Sequence, residues 1–316
     1  MIISRRVLRI KVLQAIYSHF ISKRPVHSSE KELWLSIEKT YDQFFYLIDL
    51  LIEIYKYKTH FIQVSKEKNF PTPEDLNPNT RFIENQVIHK IEENTQYKRY
   101  KQNKKISWVE YKDFIRKISL NIKEFDEYKE YMQAPQTNFN LDKKIIMSIY
   151  SCVIAESDDL YQVLEDMNIY WNAEIEYTIE IIVNCIKKMK KEHSPEKMII
   201  DLSEKQEERD YIKHLFRKTV MNHTEYDDII AKFTTNWDIK RIAIIDKYVL
   251  YMGITEILEC PDIPVKVTFN EYIDIIKLFS TPKSKIFVNG VLDKIIKQFN
   301  DKKKIVKTGR GLIGEL

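Results

Sequence analysis

The chain has 316 residues, long enough for one large domain or two ordinary ones. Apolar residues make up 44% and charged residues 31% of it, enough for a core and a soluble surface. Only five glycines and nine prolines leave little room for tight turns, so the chain is predicted to be all-α. No apolar run reaches about eighteen residues and the first residues lack a cleavage site, so neither a transmembrane helix nor a secretory signal is expected.

The net charge of +4 is unevenly distributed along the chain. Residues 1–29 and 294–310 are strongly basic, whereas the middle is nearly balanced. This asymmetry fits either an anionic partner or simply solvated ends. The three cysteines are far apart and have no CxxC spacing, which is typical of reduced thiols and predicts a cytoplasmic protein.

Apolar periodicity predicts helices through most of the chain. The first covers residues 4–22 with Ser4 as its N-cap. A proline-rich segment at 69–80 is the clearest linker. The other helical stretches before the last hundred residues are predicted at about 29–66, 81–98, 107–132, 141–166, 170–192 and 203–233.

The last hundred residues contain the clearest helix boundaries. One helix is predicted over 236–258, followed by the connector "ECPDIPVKV". Thr268 and Glu271 have the spacing of a capping box, which predicts that a helix starts there. Thr281 is expected to cap the next helix, with Pro282 at its first position. The basic residues 301–316 are predicted to be disordered.

Motifs for catalysis are missing from the sequence. It contains no Glu-x-x-His, His-Glu-x-x-His, GxGxxG, P-loop or GxSxG pattern. His223 and Asp227 are one helical turn apart, but a single such pair is more often structural. We therefore predict a binding protein without enzymatic activity, cofactor or metal.

Gly290 lies inside an apolar helical stretch, where glycine costs about 1 kcal/mol relative to alanine. On a helical wheel it falls with Phe287 on the side opposite a core stripe. That stripe consists of Val288, Val291, Leu292, Ile295, Ile296 and Phe299. Either another helix of the chain crosses at Gly290, or the hollow beside Phe287 is a partner surface.

Three motifs together resemble the NusB family of transcription antitermination factors. They are "RRVLRIKVLQAIYS" at the start, and "IIDKYVLYMGITEIL" and "IPVKVTFNEYIDIIKLF…FVNGVLDKI" near the end. The resemblance covers about 4–22 and 204–299. We interpret residues 1–23 as the first, basic helix, 24–203 as a helical insertion of unknown role, and 204–300 as the C-terminal helices of that family.

The resemblance implies two three-helix bundles, here enlarged by inserted helices, and no enzymatic activity. It also implies binding of boxA-type RNA together with NusE, a small-subunit ribosomal protein. Through this pair the family joins the RNA polymerase elongation complex and supports transcription of ribosomal RNA operons. The alternative is a non-catalytic scaffold that keeps the fold but binds other proteins.

Matched to the basic first helix of the family, the residues predicted to contact RNA are Arg5, Arg6, Arg9 and Tyr17. The three arginines fall within about 100° on a helical wheel. Since the azimuth of Arg5 and Arg9 continues as the core stripe, we expect the first turns to extend beyond the bundle and expose them. Tyr17 could stack on a base or belong to the core, and Lys266 could reach RNA or NusE.

The NusE face implied by the resemblance lies on the C-terminal helices. The matching positions, together with the hollow, are Asp246, Val265, Lys283, Phe287 and Gly290. Val265 stands where the family commonly has an aromatic residue and Lys283 where it has an acid, so the detailed contact differs here. In the inserted part, "YKRYKQNKK" (97–105) mixes aromatics with cations, a weak signal for nucleic-acid binding.

Overall fold

A computed structural model describes residues 3–171, 175–197, 206–234 and 242–313. These residues form helices and connecting turns with no strand among them, so the all-α prediction is confirmed. None of the described helices combines the length and the apolar character needed to cross a bilayer. The α-helices are α1 (Arg5–Ser22), α2 (Val26–Lys66), α3 (Pro73–Leu76), α4 (Gln86–Glu93), α5 (Thr95–Lys104), α6 (Lys112–Glu124), α7 (Asp126–Gln133), α8 (Phe139–Ser148), α9 (Asp158–Met167), α10 (Ile175–Lys188), α11 (Gln206–Met221), α12 (His223–Phe233), α13 (Ile244–Glu259), α14 (Val265–Phe279) and α15 (Pro282–Asp301).

The chain divides into two compact units. We call Ile3–Ile37 with Leu202–Leu316 the terminal unit, and Glu38–Asp201 the central unit. The terminal unit therefore combines segments from both ends of the chain. Its boundaries lie near those predicted for the insertion, 24–203, although the first falls inside α2; the role of the central unit as an insertion stays a prediction.

The terminal unit is built around α13. This helix contacts α1, α11, α12, α14 and α15, and it is buried over almost its whole length. Its sequence is apolar on all sides, as expected of a helix enclosed by others. It begins at Ile244, later than the predicted 236–258; residues 235–241 lie outside the described part. Six helices, α1 and α11–α15, match the number in two three-helix bundles.

A carboxylate is buried at the centre of the terminal unit. Glu256 on α13 is fully buried and accepts two hydrogen bonds from the Arg9 guanidinium on α1, at 2.7 and 2.8 Å. It also accepts from the hydroxyls of Tyr211 at 2.7 Å, Thr268 at 2.8 Å and Tyr272 at 3.0 Å. One side chain thereby joins α1, α11, α13 and α14.

The protonation states of this cluster follow from burial and pairing. Burial alone would raise the pKa of Glu256, but the hydrogen bonds and the positive charge of Arg9 hold it below the usual range. The same carboxylate raises the pKa of Arg9 in spite of burial. Burial and the nearby carboxylate raise the pKa of Tyr211 and Tyr272. The cluster is therefore a charged pair with neutral phenols around it.

The central unit uses the aromatic residues of "YKRYKQNKK" for packing. Tyr97 is buried and donates to Asp49, and Tyr100 stacks on Phe45 with ring centroids 3.9 Å apart. Lys101 pairs with Asp49 at 2.6 Å. These contacts account for the alternation of aromatics and cations, so the weak nucleic-acid signal of this stretch has a structural explanation.

Several long predicted helices are divided in the structure. The stretches concerned are 81–98, 107–132, 141–166 and 203–233, whose first residues 203–205 lie outside the described part. Asn94 caps α5 by accepting from the Tyr97 backbone N–H at 2.8 Å, and Ser157 caps α9 from the Leu160 N–H at 3.3 Å. Short polar side chains thus start new helices within apolar patterns that periodicity reads as continuous.

Local capping signals near the chain ends were predicted with mixed success. Ser4 accepts from Val7 N–H at 3.4 Å and Thr281 from Ser284 N–H at 3.2 Å, so both predicted caps are confirmed. The capping box at Thr268 is wrong, because α14 already begins after Pro264. Thr268 lies inside that helix, and its hydroxyl donates a hydrogen bond to the buried carboxylate of Glu256 on α13.

The basic C-terminal segment, predicted to be disordered, is mostly exposed over residues 301–313 but contacts the end of α13 through its two buried residues, Lys307 and Gly311. Lys307 is buried and donates to the backbone carbonyls of Glu256 at 3.3 Å and Cys260 at 2.9 Å. A Cβ at Gly311 would lie 1.9 Å from the Pro261 carbonyl oxygen. A cation on the last carbonyls of α13 and a close backbone approach hold this segment in place.

We predict that Glu256→Gln strongly destabilises the terminal unit. The substitution removes the main counter-charge of buried Arg9, whose other carboxylate neighbour, Glu271, lies 3.6 Å away, and breaking a buried pair costs about 3–5 kcal/mol. Hydrogen exchange of the α13 amides measures the loss within this unit. The control is Glu32→Gln, which breaks an exposed ion pair with Arg24 and should cost less than about 1 kcal/mol. Equal losses in both variants would contradict the central role of the buried pair.

The same variant has an expected pH dependence. Because the folded-state pKa of Glu256 lies below its ordinary value of 4.5, its contribution is present above that value and is lost as pH falls through the folded pKa. The stability difference between wild type and Glu256→Gln should therefore be largest above about pH 4.5 and narrow in more acidic solution.

Candidate nucleic-acid interface

The amino-terminal end of α1 presents two partly exposed arginines. The side chains of Arg5 and Arg6 are 40% and 45% exposed, directly after the N-cap Ser4. The first turn of α1 has no acidic residue. Cations at this end oppose the helix dipole, whereas a bound anion would be favoured there.

Carboxylates of neighbouring helices already contact both arginines. Arg5 donates to Glu208 on α11 at 3.1 Å, and its guanidinium lies 5.3 Å from the centre of the Tyr211 ring. Arg6 donates to Glu271 at 2.9 Å and to Asp274 at 3.0 Å, both on α14. The carboxylates of Glu208 and Glu271 are only 13% and 20% exposed, and Glu271 also lies 3.6 Å from Arg9. An anion that binds the two arginines must therefore displace these carboxylates.

Arg9 does not belong to this surface. Only 2% of its side chain is exposed, and its guanidinium is held by Glu256. The expectation that the first turns of α1 extend beyond the bundle is therefore wrong. α11 and α14 pack alongside α1 from its start, as the contacts of Glu208 and Glu271 show. Arg9 has a structural role, and only two of the three predicted arginines can reach a ligand.

Tyr17 lies farther along the same side of α1 as Arg6, about 20° away in azimuth and roughly 16 Å along the axis. It is 40% exposed, and one edge of its ring contacts Tyr248 at a centroid distance of 6.3 Å. It is thus held on one side and open on the other. Lys266 is exposed in the first turn of α14, the helix that carries the carboxylates contacting Arg6.

Three of the predicted partner residues share one face of α15. Lys283, Phe287 and Gly290 are spaced i, i+4 and i+7, which places them within about 60° of each other. Lys283 is exposed, whereas Phe287 and Gly290 are partly exposed. The opposite face carries the predicted core residues: Val288, Val291, Leu292, Ile295 and Phe299 are buried, and Ile296 is partly buried.

The space at Gly290 is open. No heavy atom of the described residues lies within 4 Å of a Cβ built there, neighbours and the local helix backbone aside. Within the described chain, no crossing helix explains this glycine, and the alternative of internal packing does not hold for it. The open position at Gly290 is consistent with the hollow predicted beside Phe287, which stays a prediction.

The remaining two predicted partner positions lie elsewhere. Asp246 is 3% exposed and accepts a hydrogen bond from the Ser280 hydroxyl at 2.7 Å. Its carboxylate ties the start of α13 to the end of α14, so direct contact with a partner does not fit its burial. Val265 is the first residue of α14, partly exposed, and roughly 20 Å along that helix from Ser280.

Comparison of the chain with known proteins identifies the family to which it belongs. The family model described as "NusB family" matches residues 172–297. The chain is 47% identical over 115 residues to the Transcription antitermination protein NusB of Salinibacter ruber, covering 36% of this chain and 72% of that protein. The chain belongs to the NusB family.

Other relatives of the same name agree with this NusB assignment. The protein of Chloroherpeton thalassium is 36% identical over 140 residues, 44% of this chain and 64% of that protein. The protein of Natranaerobius thermophilus is 38% identical over 104 residues, which cover 31% of this chain and 75% of that protein. No solved structure matches the chain. The family match begins at residue 172, so it includes α10, which the sequence analysis assigned to the insertion.

Sequence reasoning missed part of the exposed surface of this NusB chain. Ile286 is 74% exposed beside the α15 stripe, and Leu278 at the end of α14 is 65% exposed. Together with Phe287 they surround the turn from α14 to α15. The signal was available, since Ile286 falls outside the core stripe of α15 on a helical wheel.

A cavity of about 710 Å³ opens next to Arg5. Arg310 and His214 line it, but so do four acids: Glu207, Asp210, Glu259 and Asp262. This balance does not favour a phosphate inside the cavity. No group of three or more His, Cys, Asp or Glu among the described residues is placed to hold a metal ion.

We predict that Gly290→Ala stabilises this NusB chain by about 0.5–1 kcal/mol, because alanine favours the helix and the added methyl meets open space. The control is Gly253→Ala on α13, where the new Cβ would lie 3.1 Å from a methyl of Leu292. That variant should gain less or lose stability. Thermal unfolding of both proteins is the measurement, and a loss at Gly290 would show that its face is packed after all.

Proposed function

We propose that this chain is a transcription antitermination factor that binds boxA-type single-stranded RNA together with NusE. In this role it would join the RNA polymerase elongation complex and support transcription of ribosomal RNA operons. The observation that carries the proposal is membership of the NusB family, whose matched relatives bear the antitermination name. We further propose that the protein acts by binding alone, without catalysis or a cofactor.

The amino-terminal end of α1 supports the RNA part of the proposal. Arg5 and Arg6 offer two guanidinium groups at the positive end of a helix, where phosphates are favoured. A phosphate that binds there would displace their present carboxylate partners, Glu208 and Glu271. Tyr17, on the same side of the helix, has an open ring on which a base can stack.

The outer face of α15 supports the partner part. Lys283, Phe287 and Gly290 form a stripe with a half-buried aromatic ring next to a hollow, and Ile286 adds exposed apolar area. Aromatic anchors beside a hollow are common at interaction hot spots. The positive charge of Lys283 would be matched by an acid on the partner. Val265 and Lys266, at the far end of α14, would lie at the rim of such a contact.

We predict that replacing Arg5 and Arg6 together with glutamine weakens binding of a boxA-like RNA oligomer. If each arginine neutralises one phosphate, the slope of log affinity against log salt should flatten by up to about 1.4, from about 0.7 per phosphate. Fluorescence anisotropy at several salt concentrations measures it. Arg9 is left intact because its loss would disturb the core.

The matched control removes two exposed lysines of the same unit, Lys213→Gln with Lys232→Gln, and should leave the slope nearly unchanged. An unaltered slope in the arginine variant would place RNA elsewhere. If wild type binds NusE but no RNA at any salt concentration, the alternative of a helical protein scaffold would replace the proposal.

We predict that Gly290→Leu weakens binding of NusE while the chain stays folded, since the Cβ of the new side chain meets no described residue within 4 Å and the rest of it would occupy space on the outer face. Asn289→Leu is the control, because this neighbouring exposed residue points about 100° away. Calorimetric titration with the organism's own NusE measures the difference. Equal affinities for both variants would remove this face from the interface.

A further inference from the structure

The central unit contains an apolar groove unrelated to the surfaces above. It has a volume of about 440 Å³, within the range of small-molecule sites. Residues of α2, α6 and α7 line it, together with the segment before α4. The apolar part of its wall includes Phe61, Ile62, Phe82, Leu120, Tyr128 and Met132.

One partly buried ammonium group lines this groove. Lys58 on α2 donates to the Ser119 carbonyl at 3.3 Å, and its Nζ lies 4.7 Å from the centre of the Tyr128 ring and 5.5 Å from that of Phe82. No carboxylate in the described part of the chain forms an ion pair with it. Another cation, Lys123, lines the same groove and repels it.

Two other partly buried lysines of the central unit have a carboxylate partner, whereas Lys90 and Lys143 donate to backbone carbonyls as Lys58 does. Lys39 contacts Asp42 at 2.7 Å, and Lys101 contacts Asp49 at 2.6 Å. At the groove itself, the acid Glu124 is occupied by Lys129 at 3.2 Å. Three lysines, Lys58, Lys123 and Lys129, line the groove against this one acid, so the groove has an excess of positive charge.

The lack of a carboxylate partner among the described residues disfavours the charged form of Lys58. Burial and the repulsion from Lys123 lower the pKa of Lys58 to about 8. An ammonium in an apolar setting is unfavourable until an anion joins it. Leu120 and Phe61 also line the groove. They are 51% and 59% exposed, so apolar surface of the groove is left uncovered.

We propose that this groove binds a small organic molecule with an apolar body and one carboxylate, which pairs with Lys58. The rings and aliphatic side chains would cover the body, and Lys123 at the rim would add to the attraction. A monoanion fits better than a phosphate, because a dianion needs several donors and the groove offers one partly buried ammonium.

The probe for this proposal is 4-phenylbutyrate, and its neutral amide is the matched ligand. Calorimetric titration of the full chain near pH 7 should show binding of the acid at least about tenfold tighter than of the amide, as expected for a charge-assisted contact. No binding of the acid at millimolar concentration would overturn the proposal. Equal binding of acid and amide would also overturn it and indicate a purely apolar occupant.

Variants test the role of the ammonium directly. Lys58→Met keeps the apolar stem and should weaken binding of the acid about tenfold or more without changing that of the amide. The control is Lys56→Met on the same helix, which is paired with Glu53 outside the groove and should bind as wild type does. Leu120→Gln, at an exposed position, should weaken both ligands and serves if Lys58→Met does not fold.

The pH profile distinguishes this site from nonspecific binding. Since only the protonated amine attracts the carboxylate, affinity should fall as pH rises above about 8, and the fall should vanish in Lys58→Met. A profile that is the same in both proteins would overturn the proposal. Self-association through the groove, seen as a dimer that the ligand does not dissociate, would also count against it.

Discussion

The terminal unit depends on the ion pair between Arg9 and Glu256. These residues are 247 positions apart in the chain, and the whole central unit lies between them in sequence. A pair so remote in sequence forms only once both ends of the chain have come together. Because Glu256 also accepts from three hydroxyls, its hydrogen bonds fix the relative placement of four helices at one point. Buried pairs of this kind favour one arrangement over its alternatives even where their net stabilisation is small.

This pair also shapes the surface. It takes the third arginine of the basic helix, Arg9, into the core and leaves Arg5 and Arg6 at the surface. The carboxylates that form ion pairs with Arg5 and Arg6, those of Glu208 and Glu271, belong to α11 and α14, the helices that also enclose Arg9. The structural and the ligand-facing arginines are therefore neighbours on one helix, separated by burial and not by residue type. Substituting them together would confound stability with binding.

The fold class was accessible from the sequence because apolar periodicity and scarce glycine are local or compositional signals. The caps at Ser4 and Thr281 were equally local and correctly predicted. The burial of Arg9 was not, since it is decided by a residue on a distant helix. A hint existed: Glu256 is a single acid in the otherwise apolar run "YVLYMGITEIL", and a buried acid requires a cation. The boundary between α4 and α5 at Asn94 was missed, because a capping side chain can start a new helix while the apolar periodicity of the sequence continues across it.

The candidate surfaces were predicted unevenly for the same reason. Helical-wheel positions placed Phe287 and Gly290 correctly on the outer face of α15, because that face depends on one helix alone. Asp246 was misjudged because the residue that buries it, Ser280, comes from another element. Lys58 gave no signal in the sequence, since an unpaired ammonium is recognised only when all its neighbours are known.

Because carboxylates already pair with Arg5 and Arg6, an anion can bind the end of α1 only by replacing one of them. A phosphate that arrives there does not capture a free cation; it displaces Glu208 or Glu271, and the released carboxylate then repels it. Each displaced acid also takes up a cation from solution, which offsets part of the counterion release that normally accompanies binding of nucleic acid. The helix end is thereby insulated against generic polyanions, and a ligand must bring contacts beyond charge to occupy it.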